Sequence, residues 1–82
     1  SSTSIKFKIS SDKINSDNSV ELIVYDALGN EIYFRIYKLS SLNSENNYYK
    51  IVYDATGFAS GMYFYKIKFN GYSSVKKMIL LK

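Results

Sequence analysis

Apolar and polar residues alternate along most of this chain with a period of two, the spacing of a strand with one covered face. Ile5, Phe7 and Ile9 alternate with Lys6, Lys8 and Ser10. Val20, Leu22 and Val24 form one face of a second segment, with Glu21, Ile23 and Tyr25 on the other. A third segment, from about Glu31 to Leu39, places Ile32, Phe34 and Ile36 on the expected inward side, opposite Tyr33 and Tyr37. Tyr49, Ile51 and Tyr53 share a face of a fourth segment, Tyr48 to Tyr53. In a fifth, Met62 to Phe69, residues Tyr63, Tyr65, Ile67 and Phe69 lie opposite Lys66 and Lys68. A sixth runs from about Ser74 to Leu81.

The connections carry turn chemistry. Asp26 can accept from backbone N–H groups ahead of it, and Gly29 can take a positive φ, so the stretch from Asp26 to Asn30 predicts a tight turn between strands two and three. Asp54, Gly57 and Gly61 fall in a longer connection, and Asn70-Gly71 has the composition of a type I′ hairpin turn. Asp12 to Ser19 and Ser40 to Asn47, both polar, read as loops. Tyr25-Asp26-Ala27-Leu28-Gly29 and Tyr53-Asp54-Ala55-Thr56-Gly57 share a pattern that a common strand-ending turn explains. No helix is present to carry a parallel crossover. The pattern therefore predicts an all-β fold: an antiparallel two-sheet sandwich of about six to seven strands in one domain over residues 1–82.

Composition narrows the function more than it shapes the fold. The 46% hydrophobic content supplies a core and argues against disorder. The chain has neither histidine nor cysteine, which removes Ser-His-Asp and Cys-His catalysis, disulfide staples and the usual zinc ligands. Its seven acidic residues sit mostly in loops or at strand ends, without the dense ligand loop that calcium requires. An enzyme is not expected, nor is a cofactor or metal. The net charge of +4 comes almost wholly from dispersed lysines, Arg35 being the one arginine, which argues against nucleic-acid binding. Solubility and blunted sheet edges are the expected use of that charge. Most of the tyrosines and phenylalanines fall on strand faces shared with isoleucine, as core residues would, which leaves Tyr33 and Tyr37 as candidates for an exposed carbohydrate platform.

Three motifs carry a resemblance. Val20 to Ile32, with Val24-Tyr25-Asp26 and Leu28-Gly29, is similar to the first motif of the type IX secretion system C-terminal sorting domains, type A. Ala59-Ser60-Gly61-Met62-Tyr63 resembles their "alanine-serine-glycine-valine-tyrosine" strand, and Lys76-Lys77-Met78-Ile79-Leu80-Leu81-Lys82 resembles their closing strand. The three occur in the family's order and span nearly the whole chain. The family's usual opening Asn-Pro-Phe is missing before Ser1, and Tyr53-Asp54 stands where the family often has Trp-Asp.

The resemblance implies an immunoglobulin-like sandwich, akin to domains of flagellar hook-capping proteins, at the C-terminal end of a longer protein. It implies a non-catalytic signal, attached to an upstream cargo domain, that an outer-membrane translocon recognises and a surface sortase often removes. The location implied is secreted or at the cell surface of a Gram-negative bacterium of the Bacteroidetes type. Recognition would centre on Lys76, Lys77, Ile79, Leu81 and Lys82. The plainer reading has Val75, Ile79 and Leu81 packing the core while the lysines stay solvated. A self-associating fibre subunit that pairs through strand edges is the alternative from the residues themselves, and a carbohydrate-binding module the second.

Overall fold

The computed structural model describes residues 2–9 and 18–81. Seven strands carry the described chain: β1 (Ser2–Lys8), β2 (Ser19–Asp26), β3 (Glu31–Lys38), β4 (Asn43–Glu45), β5 (Tyr48–Asp54), β6 (Gly61–Phe69) and β7 (Tyr72–Leu80). A 3-10 turn, Leu39–Ser41, follows β3. The strands form two antiparallel sheets, a three-stranded one in the order β1-β5-β4 and a four-stranded one in the order β3-β2-β6-β7. This is the all-β sandwich class that the alternation predicts. Each sheet lies in its own compact unit, one of residues 1–18 with 38–58, the other of residues 19–37 with 59–82.

In the three-stranded sheet the period of two sorts the side chains cleanly. Ile5 lies opposite Ile51, Phe7 opposite Tyr49 and Thr3 opposite Tyr53. Ile5, Tyr49, Ile51 and Tyr53 are buried, and the Phe7 and Tyr49 rings stack with centroids 5.8 Å apart. Ile9, just beyond β1, donates its N–H to the Asn47 carbonyl at 3.1 Å and is buried.

In the four-stranded sheet the central strand β2 holds the densest packing. Val20, Leu22 and Val24 are fully buried, and Ile23 on the opposite face is also covered. Leu22 faces Ile67 and Val24 faces Tyr65 across the β2–β6 pair. Asn70 (φ 48°) and Gly71 (φ 78°) join β6 to β7, both with the positive φ that a type I′ turn demands.

Three expectations need correction. The polar stretch from Ser40 to Asn47 is not a plain loop. It holds the 3-10 turn and β4, and Asn46 (φ 52°) and Asn47 (φ 67°) form a two-residue connection into β5. Asparagine tolerates the left-handed region, so this pair can do what Asn-Gly does elsewhere.

The second correction concerns β3. Ile32, Phe34 and Ile36 are exposed, whereas Tyr33 and Tyr37 are half-buried, with their hydroxyls hydrogen-bonded at 3.0 Å. Among the described residues β3 is an edge strand with β2 as its one neighbour, so its apolar row lacks the flanking side chains that a central strand has on both sides.

The third concerns β7. Val75, Ile79 and Leu81 do not pack in the core: they are 55%, 63% and 88% exposed, and it is Leu80 that is buried. The predicted loop from Asp12 to Ser19 lies, as far as Asp17, outside the described residues, and Ser19 already belongs to β2.

Candidate functional site

The terminal motif builds an edge strand whose two faces differ. Among the described residues β7 pairs only with β6, through a register that sets Gly61 opposite Leu80, Tyr63 opposite Met78 and Tyr65 opposite Lys76 on one face. That face is the covered one: Tyr63 and Leu80 are buried and Met78 is half-buried. The Tyr63 hydroxyl donates to the Ala59 carbonyl at 2.6 Å, tying the strand to the connection before it. Partial burial pushes the Tyr65 phenol above its ordinary range, so it stays neutral beside Lys76.

The other face is open. Met62 lies opposite Ile79, Phe64 opposite Lys77 and Lys66 opposite Val75. Met62, Val75, Lys77 and Ile79 are exposed, and Phe64 and Lys66 are half-buried. Lys66 reaches over the Tyr25 ring, with Nζ 5.9 Å from its centroid. Apolar side chains thus alternate with ammonium groups across two strands. An exposed apolar face of this kind is a candidate binding surface. It offers no nucleophile and no acid–base pair, and no cluster of metal-ligating side chains occurs among the described residues.

The residues expected at the site are distributed unevenly. Lys77 and Ile79 stand together on the open face, and exposed Leu81 follows the strand. Lys76 is exposed but belongs to the opposite face, and Lys82 lies outside the described residues. Met62, Phe64, Lys66 and Val75 complete the surface and were missed as site residues. The signal was in the sequence: the Asn70-Gly71 turn fixes the register of β6 on β7, and that register sets these four beside Lys77 and Ile79.

The turn residues have separate local geometries. Asp26 accepts at Oδ1 from the N–H groups of Leu28 (3.0 Å) and Asn30 (2.8 Å), and at Oδ2 from the Asn30 side chain (3.1 Å). These hydrogen bonds, the Asn30 side chain foremost, hold its carboxyl below the ordinary range. The Gly29 N–H returns to the Asp26 carbonyl at 3.0 Å. Asp54 repeats the first contact by accepting from the Thr56 N–H at 2.9 Å. Gly61, at φ 151°, opens β6 in a backbone conformation that L side chains rarely adopt. Gly57 takes no positive φ.

The open, apolar and basic face of β6 and β7 makes this small all-β chain a candidate binding module. Its family is defined by sequence over nearly its full length: the chain belongs to the secretion system C-terminal sorting domain family, whose model matches residues 3–81. This is the type IX sorting domain, which marks proteins for secretion or display at the bacterial cell surface. No curated protein and no solved structure matches the chain.

Proposed function

We propose that residues 1–82 act as one immunoglobulin-like sorting domain, non-catalytic and covalently attached behind a secreted cargo domain. The outer-membrane translocon reads the open face of β6 and β7, and a surface sortase then removes the domain from its cargo. Family membership supports the sorting role. The observation that carries the choice of surface is the exposure of Val75 and Ile79, two β-branched apolar residues on the face of β7 opposite buried Leu80. Lys77, between them in sequence and on the same face, lets the surface discriminate by charge as well as by apolar contact. β7 stands at the edge of its sheet, where a partner strand can add, so face and edge can act together.

The test fuses the chain to a periplasm-directed reporter in a bacterium with a type IX system. The wild type is expected to reach the cell surface or medium, with a loss of mass at the junction where the sortase acts. The double variant Val75→Ser/Ile79→Ser is expected to hold the reporter in the periplasm while melting normally. Export of that variant at the wild-type level would refute the open face as the recognition surface.

A further inference from the structure

The second face of the three-stranded sheet carries a different constellation. Its strands place Lys6 opposite Lys50 and Lys8 opposite Tyr48. On the far side of β5, Asn43 lies opposite Lys50 and Glu45 opposite Tyr48. Two rows therefore run across the sheet, Lys6–Lys50–Asn43 and Lys8–Tyr48–Glu45, and Ser4 with Val52 stands in the row before them. Every one of these side chains is exposed. The ammonium groups of Lys6 and Lys8 both sit over the Tyr48 ring, 5.3 and 5.5 Å from its centroid.

Lys6 facing Lys50 is an adverse arrangement, since like charges directly opposite on paired strands repel. The ring holds two ammonium groups close together at an exposed position, where each weakly favours the contact. Three cations are thus gathered on a patch three strands wide, roughly 10 Å at ordinary strand spacing. Two acids share that face at its margins, Glu45 on β4 and Asp54 at the far end of β5, opposite Ser2.

We propose that this face binds an anionic polysaccharide, through carboxylate or phosphate groups on its sugars. The ammonium groups of Lys6, Lys8 and Lys50 take the anionic oxygens, which relieves the Lys6–Lys50 repulsion. Asn43 and Glu45 are placed to exchange hydrogen bonds with sugar hydroxyls. A single-stranded nucleic acid fits this face less well. Base stacking needs an open aromatic face, and the Tyr48 ring is already covered by two lysines.

Calorimetric titration of the chain with polygalacturonate, phosphomannan, neutral mannan and a single-stranded oligothymidylate tests the proposal. Binding is expected to polygalacturonate or phosphomannan, weakening as sodium chloride rises, and the two anionic probes distinguish carboxylate from phosphate. Binding to neither, equal binding to neutral mannan, or tighter binding to the oligothymidylate would overturn it. Lys6→Ser with Lys50→Ser is expected to weaken binding at least about tenfold, the loss of two close charge contacts, whereas Arg35→Ser with Lys68→Ser in the other unit leaves it unchanged. Equal losses in the two pairs would reduce the effect to net charge and reject the site. Lys50→Gln alone is expected to weaken binding and yet raise the melting temperature by about 2 °C, because it removes one of two facing charges. A Lys50→Gln chain that binds as tightly as the wild type also rejects the site.

Discussion

At Asp26 one carboxylate satisfies two backbone N–H groups and a side-chain amide, and so fixes the hairpin between β2 and β3. Hydrogen bonds to the charged form favour it, which is why the carboxyl stays below its ordinary range. The sign of the pH effect follows. A lowered native pKa contributes stability that is fully present above the unfolded value, near 3.9, and is lost as pH falls through the native value. Asp26→Ala is therefore expected to melt below the wild type at pH 7. The gap should narrow as pH falls from about 4 toward 2, traced by circular dichroism melts across that range. A gap that stays constant with pH would assign the loss to turn shape alone. Asp26 and its turn were legible in the sequence because the contacts span only two to four residues. The Asn46-Asn47 turn was not, since two asparagines signal a turn less sharply than Asn-Gly.

Among the elements, the alternation was legible wherever a strand has neighbours on both sides. β2, β5 and β6 each lie between two strands, and the faces expected of them from alternation match their burial. β1 is an edge strand whose buried Ile5, with Ile9 just beyond it, also follows the alternation, but at the edge strands β3 and β7 the same alternation misled. It marks Ile32, Phe34 and Ile36 as a row, but periodicity alone does not say whether a row is covered, which depends on what lies beside the strand. The difference should appear directly in stability. Leu22→Ala, in the fully buried row of β2, is expected to cost about 2–5 kcal/mol through lost contacts and a residual cavity. Phe34→Ala, on a side chain about half exposed (49%), should cost about 1 kcal/mol, the transfer value for the part that is covered. Urea unfolding measures both. Comparable costs would mean that β3 is packed far more tightly than its exposure indicates.

For the whole molecule, β7 carries two tasks at once under the proposed function, structure and recognition. One face of β7 covers Tyr63 and buries Leu80, while the other presents Val75, Lys77 and Ile79. Family resemblance located the strand, but only the register with β6 divided its residues between the two tasks and added Met62, Phe64 and Lys66. Removing residues 72–82 strips all nine pairings from β6 and uncovers Tyr63. Such a truncation is expected to lose both export and cooperative thermal unfolding, so the loss of export says little about what the translocon reads. Ile79→Ser separates the two, because a side chain already 63% exposed contributes under about 1 kcal/mol to folding. Its melting temperature is expected within a few degrees of the wild type, while reporter export falls several-fold. If the truncated chain still melts cooperatively near the wild-type temperature, β7 is dispensable for folding. Both of its faces would then be free for recognition, and Lys76 and Leu80 would join Lys77 and Ile79 as residues to vary.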